Sequence, residues 1–442
     1  MRPARRPVTL PHARAAGAGL LTAGIVVLAV NLRAAITSLP PIFPELHNAL
    51  HLSAGGQALL ATVPVLCFAV FSGIAAPLSR TFGDERVLGS ALLLLAAGLL
   101  ARGADPAVLL FPGTVLAGGA IALMNVLLPS LVKRRRPDRA GLLIGLYLLA
   151  LSGGAIAGSL IAVPVYQATG GSAAVRVTLG LWALPALLGA AVWLPQLRYR
   201  TLPGVPRPAR RRPGRDVPRP DQPAESLAQA APDGPAGARP ARLGLWRNAL
   251  TWQVTAFMGL QSLSYYATLS WFPTLLRDEG ASAVHAGTLL ALMNLGNAVT
   301  GLLVPVLAHR FADQRLLAVG WMVVTGVGLA GAGLGPLAAA APFIFVLGLG
   351  QGASLGLGIF YTMARAPDPV TAASLSAFAQ SIGYLLAASG PLLLGYLHTA
   401  TGGWTVPVWV LMGVVALQLV TGWLAGRART VPGLPAALPG AA

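Results

Sequence analysis

Apolar residues come in long, nearly continuous runs separated by short polar breaks, with neither the alternation of a strand nor the single stripe of a surface helix. A helix that spans a bilayer needs about 20 mostly apolar residues. Twelve runs have roughly this character: 17–43, 55–79, 87–104, 107–132, 140–165 and 175–195, then 249–276, 283–308, 315–334, 338–363, 371–397 and 404–426. The pattern predicts an all-α membrane protein with 12 transmembrane helices. Gly and Pro inside the runs do not count against it, because membrane helices tolerate both.

One break differs from the rest. Residues 196–248 are rich in Pro, Arg, Ala and Gly, with six arginines between Arg207 and Arg219, and cannot bury a core. The sequence therefore divides into a tail at 1–16, a six-helix bundle at 17–195, an Arg/Pro-rich linker at 196–248, a second six-helix bundle at 249–426 and a tail at 427–442.

The two bundles repeat one another. Phe43-Pro44-Glu45-Leu46 matches Phe272-Pro273-Thr274-Leu275 at an offset of 229. At the same offset Ser53-Ala54 matches Ser282-Ala283, and Phe82-Gly83-Asp84-Glu85-Arg86 matches Phe311-Ala312-Asp313-Gln314-Arg315. A parallel repeat of this kind relates two bundles by an axis along the membrane normal.

Charge orients the helices. The chain has 442 residues, 55% hydrophobic and 10% charged, with a net charge of +18. Soluble domains carry about 25% charged residues. Such basicity would point to nucleic acid in a soluble protein, but here placement accounts for it. With the N-terminus inside, 27 of the 31 Lys and Arg fall on the cytoplasmic side and 3 outside. That asymmetry puts both tails and the linker in the cytoplasm. The expected partners are the lipid bilayer and a small-molecule substrate, with no nucleic acid, and the chain is expected to work as a monomer. The first run is too long for a cleavable signal and lacks a small-residue cleavage site. The single cysteine, Cys67, excludes a disulfide framework, and no metal site or cofactor is expected.

Against this background the remaining basic residue stands out. Arg33 is the only charge in its run, where an ionised side chain costs several kcal/mol unless it faces a cavity or partner. The repeat puts Ser262, not a cation, at the equivalent position. Asn31 and Thr37 are close by, and Pro40 and Pro41 predict a distortion toward the outer end. The matching helix is polar too, with Gln261, Ser264 and Tyr265 on one face beside Tyr266. Asn125, Asn294, Gln351 and Gln380, with Tyr384 one turn beyond, add amides and a phenol in other runs. Together these predict a neutral polar cavity with one cationic spot. No Asp or Glu lies inside any run, and there is no nucleotide-binding Gly-x-x-x-x-Gly-Lys loop. The first counts against the usual carboxylate relay of drug/proton antiport, the second against ATP-driven transport within this chain, and the lack of paired acids or histidines at the interface against a membrane enzyme. In the loops after the second and eighth runs, Asp84 and Arg86, and their repeats Asp313 and Arg315, are candidates for a conformational latch against helix ends of the other bundle. The first loop resembles a motif of the major facilitator superfamily in Leu78 and Gly83, with Arg80 where the motif has Asp.

A closer resemblance lies in the first run. Asn31-Leu32-Arg33-Ala34-Ala35-Ile36-Thr37-Ser38 with Phe43-Pro44-Glu45-Leu46 resembles the first helix of the cyanate and 2-nitroimidazole transporter-like family within that superfamily. Pro129-Ser130-Leu131-Val132-Lys133-Arg134-Arg135 is similar to the end of its fourth helix, and Gln261-Ser262-Leu263-Ser264-Tyr265-Tyr266 with Trp271-Phe272-Pro273 to its seventh. The family has Pro after the motif arginine where this chain has Ala34. The resemblance implies the major facilitator fold and a secondary carrier or facilitator for a small anion or small polar heteroaromatic, working by alternating access in the cytoplasmic membrane. A multidrug exporter of the same superfamily is the alternative.

Overall fold

The computed structural model describes residues 11–104, 107–199, 201 and 245–432. The Arg-rich centre of the linker and the ends of both tails lie outside the described residues. All regular structure in the described residues is helical. The first half contains α1 (Pro11–Thr37), the short α2 (Phe43–Leu50), α3 (Ala54–Phe82), α4 (Asp84–Arg102), α5 (Leu110–Arg135), α6 (Ala140–Thr169), α7 (Ala174–Gly180) and α8 (Ala183–Trp193). The second contains α9 (Ala249–Asp278), α10 (Ala283–Ala308), α11 (Arg315–Leu334), α12 (Ala340–Ala364), α13 (Pro369–Thr401) and α14 (Thr405–Ala425). Among the described residues, ten stretches are long and apolar enough to cross a membrane. The other two crossings of the predicted twelve are α4, with Asp84, Glu85, Arg86 and Arg102 at its ends, and α9, whose polar face lowers its hydropathy.

Two runs are divided. The first helix ends at Thr37, and Pro40–Ile42 form a 3-10 turn before α2. Prolines 40 and 41 have no N–H to continue the ladder. The sixth run breaks between α7 and α8, two residues before Pro185, whose ring blocks the carbonyl four residues back.

The repeat governs the packing. In the first half α1 packs on α6 and α8, α5 on α3 and α4, and α4 on α8. In the second half the equivalent pairs are α9 with α13 and α14, α12 with α10 and α11, and α11 with α14. The halves meet through α3 against α13 and α6 against α10. Small residues allow the closest crossings, as is usual where lipid removes a hydrophobic drive between helices. A Cβ on Gly154 of α6 would stand 2.1 Å from the Val30 carbonyl of α1, and one on Gly158 would stand 2.3 Å from Thr37 Oγ1. Gly348 and Gly352 of α12 approach the Met293 and Asn297 carbonyls of α10 equally closely. Outward-facing side chains such as Val70, Leu93, Leu184, Leu303 and Leu385 are exposed, as lipid contact requires.

Helix caps follow local chemistry. Asp368 opens α13, its Oδ1 accepting from the Val370 and Thr371 N–H groups at 3.0 and 2.9 Å and its Oδ2 from the Thr371 hydroxyl at 2.6 Å. The Thr371 hydroxyl, followed by the two N–H groups, holds this carboxyl below its usual range. A depressed folded pKa stabilises the fold above the unfolded value of about 3.9, and the benefit is lost as pH falls through the folded value. Asp368→Ala is expected to cost about 1 kcal/mol at pH 7, and the gap to wild type should narrow as pH falls from 7 to about 3. Thermal melts in detergent at the two pH values check this; identical melting at pH 7 would remove the cap's contribution.

Candidate functional site

Arg33 lies on α1 where the two halves meet, half-buried, with no carboxylate among the described residues paired to it. Its Nη1 donates to Tyr265 Oη of α9 at 3.3 Å, and the guanidinium lies 5.4 Å from the centroid of that ring. The phenols of Tyr147, Tyr266 and Tyr384 are within electrostatic reach of the same charge. Within this cage of phenols, cation–π attraction to the Tyr265 ring helps hold the guanidinium, and its planar N–H fork suits an acceptor. Phe68 of α3 helps seat the cage, its ring 6.5 Å from Tyr266 and 5.6 Å from Tyr384.

Hydrogen bonds extend outward from this centre. Tyr265 Oη donates to Asn294 Oδ1 of α10 at 3.0 Å. Asn294 Nδ2 donates to the Leu290 carbonyl at 3.0 Å and to Ser159 Oγ of α6 at 3.5 Å. On the first-half side Tyr147 Oη donates to Asn125 Oδ1 at 3.1 Å. Gln261 Nε2 donates to the Gln351 carbonyl at 3.4 Å, and Gln351 Nε2 to Thr268 Oγ1 at 2.9 Å. Gln351 Oε1 and Ser264 Oγ are buried without a hydrogen-bond partner among the described residues. Gln380 donates to Ser376 on its own helix at 2.8 Å.

Two expected neighbours of Arg33 are otherwise engaged. Asn31 stands two residues before Arg33, about 200° round the helix, and donates to the Val27 and Pro185 carbonyls at 2.7 and 3.0 Å. It therefore ties α1 to α8. Thr37 donates to the Ala155 carbonyl at 2.9 Å and ties α1 to α6. Tyr147 and Ser159, not singled out by sequence reasoning, belong to the network instead. The available signal for Tyr147 was a lone phenol in the middle of an aliphatic run.

Charged clusters mark the two ends. At one end Asp84, fully buried, accepts from Ser79 and Arg134, and Glu85 accepts from Arg135 at 3.4 Å and from the Thr201 N–H at 2.7 Å. Ser79, Arg134 and Arg135 lie in the same half and Thr201 in the linker, where the sequence reading expected helix ends of the other half. Arg86 is exposed, and Asp313 pairs locally with Arg315 at 3.3 Å. The repeat of the Glu85–Arg135 pair is Gln314 accepting from the buried Arg365, which also donates to the Ala425 carbonyl at 2.9 Å.

At the opposite end, Arg277 of α9 donates to Glu45 Oε2 of α2 at 2.7 Å and to the Pro41 carbonyl at 3.4 Å, joining the halves. Phe43 and Trp271 pack beneath with ring centroids 6.1 Å apart. Glu45→Gln is expected to loosen this end about five- to tenfold, as loss of a half-buried pair worth about 1 kcal/mol shifts a two-state balance. In a Cys67→Ala background, Ser270→Cys below the pair reports the change as faster labelling by an impermeant maleimide. Unchanged labelling would rule out a closing role for the pair.

Relatives agree with this architecture. The chain is 39% identical over 415 residues to the 2-nitroimidazole transporter of Escherichia coli (strain K12), covering 93% of this chain and 96% of that protein. It is 29% identical to the cyanate transport protein CynX of the same organism, over 90% of this chain and 95% of the relative. A solved bacterial homologue of the human lysosomal transporter Spinster, in an inward-facing and unoccupied conformation, superposes with a TM-score of 0.71 at 15% identity, covering 93% of this chain and 97% of that one. The model of the Major Facilitator Superfamily matches residues 25–391, and the chain belongs to that superfamily.

Proposed function

We propose that this transporter carries a small anion or small polar heteroaromatic, cyanate- or nitroimidazole-like, across the cytoplasmic membrane by alternating access. The observation that carries the reading is Arg33, a cation without a carboxylate partner among the described residues, held against Tyr265 at the junction of two repeated bundles with three further phenols in reach. Arg33 attracts the anionic or electron-rich end of the substrate. Tyr265 and Tyr266 supply aromatic faces, and Asn125, Gln261, Asn294, Gln351 and Gln380 line the polar surroundings. Asn31 and Thr37 hold the helix that presents the charge. The substrates named for the two relatives, one a nitro-substituted ring and the other a linear anion, both offer acceptor atoms to such a fork.

The bundles at 17–195 and 249–426 rock about this site, as parallel repeats do. Both termini and the linker at 196–248 face the cytoplasm, following the basic residues, and one chain is the working unit without nucleic acid. Asp84 with Arg134, and Arg315 with Asp313, brace the cytoplasmic ends of each half. The Glu45–Arg277 pair closes the outer end. The test is counterflow in proteoliposomes with cyanate and 2-nitroimidazole. Saturable exchange that disappears in Arg33→Ala supports the reading, and flux indifferent to Arg33 overturns it.

A further inference from the structure

We infer that Tyr265 is a positioning residue that occupies the substrate's place on Arg33 in the empty carrier and ties the two halves together until substrate displaces it. This rests on the reading of Arg33 as the substrate site. Arg33 and Ser159 belong to the first half, and Tyr265 and Asn294 to the second. The bonds run Arg33 to Tyr265 at 3.3 Å, Tyr265 to Asn294 at 3.0 Å and Asn294 to Ser159 at 3.5 Å, so one chain of side chains crosses the junction twice. The Tyr265 hydroxyl is a neutral acceptor on a guanidinium. An anionic acceptor adds Coulombic attraction that the neutral phenol lacks and can take two N–H groups of the fork at once, so an arriving anion takes the N–H and the phenol loses its partner across the junction. Loading then removes a tie that holds the empty halves in this arrangement. The empty carrier reorients slowly and the loaded carrier quickly, so exchange outruns net flux.

Two variants test this with cyanate as probe. Tyr265→Phe keeps the ring over the guanidinium and removes the hydroxyl. Its affinity for cyanate is expected to rise about three- to tenfold, on the scale of one hydrogen bond, and the ratio of exchange to net flux to fall toward one. Ser159→Ala leaves the phenol on Arg33 and cuts the tie beyond it. Its affinity should stay within about twofold of wild type while the same ratio falls. Mere structural damage would lower affinity in both. Wild-type binding that Arg33→Gln abolishes, combined with equal or weaker binding by Tyr265→Phe, overturns the inference alone. No cyanate binding by the wild type overturns the substrate-site reading and the inference with it.

Discussion

Replacing Arg33 by Ala is expected to abolish carrier-mediated flux while leaving the helices as stable as before, or more so. Two opposing terms meet at this residue. A hydrogen bond from a charged donor to an acceptor is worth about 1.5–3 kcal/mol, so losing the fork weakens substrate binding about tenfold to more than a hundredfold. The same charge, without a carboxylate partner among the described residues, makes insertion less favourable by about 2.5–3.5 kcal/mol on biological insertion scales. Its removal therefore relieves the fold while disabling the site. A structural arginine behaves in the opposite way: its loss lowers melting temperature and flux together. Arg33→Lys separates charge from geometry, since an ammonium keeps the point charge and loses the planar fork. Partial flux with weakened affinity is expected. Proteoliposome flux and detergent melts on the three proteins decide, and a fall in both quantities for Arg33→Ala would assign Arg33 to structure.

The second large effect concerns the helix that carries Arg33. Gly154→Leu is expected to destroy the folded protein. Its Cβ alone would come within 2.1 Å of the Val30 carbonyl, a backbone atom that no rotamer change can move. The α1–α6 crossing would have to separate, removing the Thr37 bond to the Ala155 carbonyl and displacing Arg33 from the tyrosine cage. Overpacking of a tight crossing typically costs 1–3 kcal/mol and sometimes more; here backbone meets backbone, and loss beyond about 4 kcal/mol is expected. Gly145→Ala on the same helix is the control, because nothing lies within 4 Å of the Cβ it would add. Size-exclusion profiles after purification distinguish the two. A monodisperse Gly154→Leu protein would contradict the packing described for α1 and α6.

Much of the architecture was open to a one-dimensional reading. Hydropathy is set residue by residue, and in a membrane each apolar run must satisfy its own backbone, so run length translates directly into helices. Helix ends at Ala308 and Leu334 agree with the runs read from sequence, and the family resemblance agrees with the relatives. The division of the first run at Thr37 was visible as Pro40 and Pro41, though its extent was not. Polarity alone also located Tyr265, Tyr266 and Asn294 as candidates, because polar side chains in lipid need a reason to be there.

Direction round each helix was not legible. Asn31 and Arg33 are both polar and two residues apart, yet one closes a seam with α8 and the other faces the junction. Which face becomes seam and which becomes site depends on where α6, α8 and α9 lie, and those positions come from crossings between residues far apart in the chain. The same holds for Glu85, whose partner Arg135 is in its own half. The sequence by itself determined the twelve apolar runs, their polarity and the presence of one cation inside a run, because these depend on local transfer from water to lipid. Only the tertiary structure decided that the Tyr265 ring lies over that cation, with the phenols of Tyr147, Tyr266 and Tyr384 in electrostatic reach, and that Asn31 turns to α8 instead, because azimuth and crossing geometry arise from long-range packing.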